Sequence, residues 1–188
     1  MLTDWGKSLD VNNILQEYPR PQLVRQSYLN LNGPWEYAFS SGKDAPITFD
    51  GEILVPFSPE SELSGVGRTL TPGEFLWYRR DVVLPHGFDI GRVILHFGAV
   101  DQNARIWVNG NEVGVHNGGF LDFSFDISDF LEEVNTILVR VSDDTDTSWQ
   151  TRGKQKTKPG RIWYTPQSGI WQTVWCESVP MNYIKDLF

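Results

Sequence analysis

Hydrophobic and polar positions alternate in short runs along most of the chain. In Arg92–Phe97 the apolar Val93, Leu95 and Phe97 fall on one face, and in Asn103–Asn109 Ala104, Ile106 and Val108 lie opposite Arg105 and Trp107. A period of two is the signature of a half-buried strand. Similar runs cover Pro34–Phe39, Glu52–Pro56, Phe75–Leu84, Glu112–Val115, Leu121–Ile127, Asn135–Ser142 and Ile170–Glu177. Asn109-Gly110-Asn111 supplies the positive-φ residues of a tight hairpin turn between two of them. Residues 1–30 show little periodicity, and Tyr18-Pro19-Arg20-Pro21-Gln22 reads as a proline-set extended entry. Only Ser128–Glu133, a Ser followed by acids, suits a helical turn. The pattern predicts an all-β sandwich or barrel of about nine short strands with little helix. The strands are too closely spaced for βαβ crossovers.

Two connections are long. Phe57–Gly73 carries Ser, Pro and Gly with Glu60 and Arg68. Asp143–Gly169 carries three acids followed by Arg152, Lys154, Lys156, Lys158 and Arg161. Loops of this length are uncommon in compact domains and are either functional or disordered. The second retains Trp149, Trp163 and Tyr164, which favours an ordered loop facing a ligand or a neighbour.

Composition sharpens the reading. The 188 residues fit one domain, or two small ones, and 25 of them are aromatic, eight of these Trp. That surplus suits β architecture or a surface that binds flat ligands. A net charge of −8 argues against a basic nucleic-acid-binding face. No apolar run is long enough to span a membrane as a helix, and Met1–Trp5 lacks the basic and apolar regions of a signal peptide, so a cytoplasmic location is expected. Cys176 stands alone, excluding an internal disulfide, and reads as a small buried hydrophobe.

Catalytic signals are weak. No phosphate-binding, dinucleotide-binding, zinc-protease or nucleophile-elbow motif occurs, and His86, His96 and His116 are too dispersed for a metal site. No cofactor or metal is expected. The adjacent acids Asp143-Asp144 and Glu132-Glu133 would point to opposite faces of a strand, so neither pair flanks one glycosidic bond. Turn formation accounts for Asp143-Asp144. No residue is assigned a catalytic role.

Seven segments in order resemble the N-terminal domain of family 2 glycoside hydrolases, a family of β-galactosidases, β-glucuronidases and β-mannosidases. They are Leu29-Asn30-Leu31-Asn32-Gly33-Pro34-Trp35, Val55-Pro56-Phe57, Trp77-Tyr78-Arg79-Arg80, His96–Asp101, Trp107-Val108-Asn109-Gly110, His116–Phe120 with Phe125-Asp126-Ile127, and Gly169–Trp175. Local chemistry agrees. Gly118-Gly119 permits a close backbone approach. Trp35, Trp77 and Trp171 are expected to pack between sheets. Of Arg79 and Arg80 at most one is expected to be buried, against a carboxylate.

The resemblance implies a jelly-roll, galactose-binding-like sandwich, the sugar-binding domain. It implies residues 1–20 as an extension, 21–180 as the domain and 181–188 as the start of a linker. In the family, an immunoglobulin-like domain and a catalytic barrel bearing two glutamates follow, so this chain alone is expected to be inactive. Implied partners are carbohydrate, those downstream domains and a second copy in a homo-oligomer, with no nucleic acid or membrane. The Ser58–Pro72 and Asp143–Ser168 loops map to the sugar-facing end, with Glu60, Arg68, Asp143, Asp144, Trp149, Arg152, Lys154 and Gln155 as candidate substrate-binding residues. Thr173 stands where the best-known β-galactosidases carry an Asp near the substrate, which argues against a simple lactose-cleaving enzyme. The competing readings are a free-standing carbohydrate-binding module and a purely structural or oligomerisation domain.

Overall fold

The computed structural model describes residues 2–187. Met1 and Phe188, the outer limits of the two expected terminal segments, lie outside the described residues. Two antiparallel sheets face each other. One has the order β1 (Ser27–Asn30), β12 (Val174–Val179), β5 (Arg92–Phe97), β9 (Phe123–Asp126). The other runs β3 (Gly51–Val55), β2 (Gly33–Ser40), β4 (Phe75–Val82), β10 (Asn135–Ser142), β7 (Asn103–Val108), β8 (Asn111–Asn117). A two-residue ladder, β6 (Val100–Asp101) with β11 (Gly169–Ile170), joins the loops at one end. Among the described residues helix is confined to α1 (Asp4–Lys7) and two 3₁₀ turns, Glu62–Ser64 and Ser128–Phe130. The jelly-roll sandwich stands.

Alternation placed the strands well because each sheet has one dry face. Leu31, Trp35, Val55, Leu76, Tyr78, Leu95, Phe97, Ile106, Val139 and Val174 meet between the sheets and are almost fully buried. Each such aliphatic or aromatic side chain contributes about 1.5–3 kcal/mol on burial. Trp35 also satisfies its indole N–H, which donates to the Leu31 carbonyl at 2.8 Å. Asn109 and Gly110 both adopt positive φ, and Val108 pairs with Asn111, so the two-residue hairpin is present as read.

Four expectations need correction. The first concerns strand number: β1 escapes the pattern because its four residues are all half-buried, leaving no contrast between faces. The expected strand Ile170–Glu177 is divided into β11 and β12 by Trp171-Gln172-Thr173, which belong to no strand. The tryptophans differ too. Trp77 is buried on the outer face of the six-stranded sheet, stacked on Trp107 at 5.6 Å, and Trp171 is only half-buried, its indole donating to the Gly119 carbonyl. Finally, the more buried of the paired arginines, Arg80, donates to the carbonyls of Leu31 and Asn32 instead of a carboxylate. Arg79 has the carboxylate, Glu36, at 2.5 Å.

The outer face of the four-stranded sheet is covered by the segment around Tyr18–Arg25. Glu177, fully buried on β12, accepts from the Tyr18 hydroxyl at 2.5 Å. It also lies 3.3 Å from the Arg25 Nε, 3.7 Å from Arg20 and 3.2 Å from the His96 ring. Burial pushes its carboxyl up, but hydrogen bonds from His96 and Tyr18 and the charge of Arg20 outweigh this and hold it at about 2. Cys176 is buried beside it, and burial pushes the thiol up to about 12, so it behaves as an inert hydrophobe.

Candidate functional site

The loop end of the sandwich is built around a second buried carboxylate, Asp101 on β6. Gln155, from the long Asp143–Ser168 loop, donates to its Oδ2 at 2.9 Å. Gly119 lies so close that a Cβ there would meet Asp101 Oδ1 at 2.4 Å, which explains a glycine at that point of the His116–Phe120 segment. Burial pushes the Asp101 carboxyl up to about 7. The Gln155 bond opposes this, and the neighbouring charges of Asp143 and Glu60 add to it.

Glu60 and Asp143 are the other two acids of the cluster. Glu60 accepts from the backbone N–H of Leu70 at 3.3 Å and of Ser168 at 3.1 Å, so it ties the first long loop to the second, and burial raises its carboxyl as well. Asp143 accepts from Thr145 N–H at 2.7 Å, from the Ser168 hydroxyl at 3.2 Å and from the Gln150 amide. Ser58 completes the tie by donating to Gln167. The root of the second loop is pinned deeper still. Tyr78 reaches from the core so that the Ile170 N–H donates to its hydroxyl at 3.2 Å, and a Cβ on Gly169 would meet that oxygen at 2.0 Å.

Between its roots the Asp143–Ser168 segment is an ordered tongue. Its limbs exchange backbone hydrogen bonds, Tyr164 N–H to Lys154 at 2.9 Å, Lys156 N–H to Tyr164 at 3.0 Å, and Gly160 with Trp163 in both directions at 3.1 Å. Asp146 accepts from both the backbone and the hydroxyl of Thr157.

The eight candidate residues therefore divide. Glu60, Asp143 and Gln155 converge inside the loop cluster as acceptors and struts. Arg68 is paired with Glu74 at 2.6 Å and lies over the Phe39 ring at 3.8 Å. Asp144 forms a turn through its carbonyl, which accepts from Thr147. Trp149 is fully exposed, Lys154 is exposed and Arg152 half-buried, all on the tongue. Asp101, Ser168, Gln167 and Tyr78 belong to the cluster and were not singled out. Gly118-Gly119 was the available signal, since a close approach implies something approached.

Beside this cluster opens a cleft of about 600 Å³ lined by Arg20, Pro56, Phe120, Asp122, Trp171 and Thr173, among others. Trp171 links cleft and cluster through its bond to Gly119. None of the eight candidates lines the cleft. Asp101 and Asp143 are sealed beneath the loops, so neither can transfer a proton to a substrate. Among the described residues no His, Cys, Asp and Glu cluster is arranged to hold a metal ion.

Comparison with known proteins gives this geometry a lineage. Residues 44–180 match the model of the glycosyl hydrolases family 2 sugar binding domain. The chain is 33% identical over 132 residues to a beta-glucuronidase of Canis lupus familiaris, covering 61% of this chain and 20% of that protein. It is 26% identical over 162 residues to a beta-galactosidase of Bacteroides ovatus, covering 78% of this chain and 17% of that one. Among solved structures, a Lactobacillus rhamnosus beta-glucuronidase superposes with a TM-score of 0.67 at 26% identity, over 87% of this chain and 30% of that one. The chain thus spans about a fifth of the curated relatives it matches. With the sandwich, the ordered seven segments and a family match over most of its length, this chain belongs to the sugar-binding domain of the family 2 glycosyl hydrolases.

Proposed function

We propose that this domain is a non-catalytic part of a longer glycoside hydrolase and lends its loop end to a carbohydrate site whose reacting groups lie in another domain of the same polypeptide. One observation carries the reading. Both long loops are tied together by buried carboxylates beside an open cleft lined by Trp171 and Thr173, so a large irregular surface is held rigid where a sugar would have to be positioned. In this role Glu60, Asp143 and Gln155 shape the loops, while the tongue, outside the cleft lining, offers Trp149, Lys154 and Arg152 as further contacts to a substrate. Exposed aromatic rings stack on sugar faces and polar groups fix their orientation. The relatives' names point to β-glucuronides or β-galactosides as the substrate class.

The test compares two preparations on nitrophenyl β-glucuronide and β-galactoside. This chain alone shows no turnover, whereas a longer polypeptide with a downstream barrel turns over. In that polypeptide, replacing residues 147–164 by a short Gly-Ser linker raises KM at least about tenfold. Turnover by the chain alone, or an unchanged KM, overturns the proposal. Saturable binding of neutral glycans by the chain alone, abolished by Trp149→Ala, would instead favour a free-standing binding module.

A further inference from the structure

The tongue has an unusual charge economy. The tongue's three acids, Asp143, Asp144 and Asp146, all lie at its root, and the remaining residues 147–168 hold five cations, Arg152, Lys154, Lys156, Lys158 and Arg161, and no acid. The rest of the chain holds 11 basic and 24 acidic side chains, a balance of −13. Elsewhere this protein leaves no described arginine without an acceptor. Arg20, Arg25, Arg68, Arg79, Arg92 and Arg105 have carboxylates, and Arg80 and Arg140 donate to backbone carbonyls. Among the described residues, Arg152 and Arg161 have neither, and the Arg152 Nε is buried without any partner. Lys154 and Lys158 are exposed and have no ion pair among the described residues. Lys156 lies over the Trp163 ring at 4.3 Å, and its charge helps lower the Asp146 carboxyl. Of the chain's many acids only Asp146, held on Thr157, offsets this charge, and no ion pair joins any of the five cations among the described residues.

Aromatic surface accompanies the charge. Trp149 and Tyr164 are exposed, and the cross-bonded limbs fix the backbone that carries Tyr164. Cations interleaved with exposed rings suit a ligand with flat apolar faces and repeated negative groups. We infer that the tongue is a binding surface for an acidic glycan, one whose successive sugar units bear carboxylate or sulfate groups. Five cations spread over ten residues exceed what a single charged sugar can meet. The −13 balance of the remainder opposes a long, stiff polyanion such as duplex nucleic acid, which would run past the tongue onto acidic surface. The inference rests on the sugar-site reading and adds the substrate's charge to it.

The test is titration calorimetry on this chain, which contains the whole tongue. The probes are a galacturonic acid tetramer and its carboxyl-reduced neutral counterpart, then a sulfated carrageenan tetrasaccharide and its desulfated form. A single-stranded oligonucleotide serves as the unrelated polyanion. The acidic member of either pair binds at least about tenfold more tightly, and the preference shrinks as salt rises from about 0.05 to about 0.3 M. The pair showing the larger ratio distinguishes carboxylate from sulfate. The triple variant Lys154→Gln, Lys158→Gln, Arg161→Gln alters only exposed side chains, keeps the wild-type melting temperature and loses the preference. Equal binding of acidic and neutral partners overturns the inference; if Trp149→Ala also abolishes that binding it favours the free-standing module, and the KM of the linker replacement in the longer polypeptide decides the sugar-site reading separately. Equal binding of the oligonucleotide overturns glycan recognition in favour of unspecific charge. Binding of none overturns the inference alone, because the sugar-site reading is decided by the KM of the linker replacement in the longer polypeptide.

Discussion

Glu177 and Asp101 are both buried carboxylates, and the protein treats them in opposite ways. Glu177 is surrounded by two arginines, a histidine and a tyrosine hydroxyl, and stays ionised down to about pH 2. Asp101 is held by a neutral amide, shares its surroundings with two further acids and titrates near 7. The first arrangement spends the cations of residues 20 and 25 on clamping a segment to the sheet. The second fastens loops with neutral donors and leaves the tongue's cations facing outward. A buried acid is therefore a structural rivet in one region and, in the other, part of a scaffold that keeps charge available at the surface.

The largest break in this contrast comes from Glu177→Ala. It strands Arg20 and Arg25 beside a dry sheet face and should cost about 3–5 kcal/mol, read as a fall in melting temperature on the order of 10 °C. The sign with pH follows from the lowered carboxyl. Its stabilisation is complete above the ordinary glutamate value of 4.5 and is lost as pH falls towards 2. The variant should therefore show a flatter acid limb in urea melts. Asp101→Asn comes next and carries the opposite sign. A carboxyl raised in the folded state favours folding when protonated, so its contribution is fully present below the ordinary aspartate value of 3.8 and declines as pH rises through 7. Wild type should lose about 2–3 kcal/mol between pH 5 and pH 8 through this group, and the Asn variant should not. If both proteins respond to pH alike, Asp101 is not the titrating member of its cluster. The smallest effect belongs to Lys158→Gln, which changes stability by less than about 0.5 kcal/mol because the side chain has no described partner to lose.

Most of the sandwich was legible because inward and outward positions differ in polarity along β5, β7 and β10. Legibility failed where that contrast vanished. The half-buried β1 reads as loop, and Trp77 reads as core although its dry surroundings lie outside the sheet, under Arg140 and Trp107. At the loop end, the segments that matter were identifiable by length, charge and resemblance, but the partners were not. Glu60 meets Ser168 and Asp101 meets Gln155 across separations of 108 and 54 residues. No local spacing encodes such contacts. Polarity alone also cannot distinguish an acid that reaches outward from one that accepts hydrogen bonds inward, and Asp143 and Glu60 are of the second kind.

The bond between Asp143 and Ser168 has a consequence for how this domain can diversify. It closes the tongue at its base, so that beyond the roots the sandwich meets the excursion at few points, Gln155 on Asp101 and the Thr151 carbonyl on Gln102. Lengthening an already closed loop adds little entropy cost, about 0.6 kcal/mol for each doubling. Insertions, deletions and changes of charge between residues 156 and 164 are thereby insulated from the fold, and a lineage carrying this domain can vary that stretch as a cassette while the two sheets remain as they are.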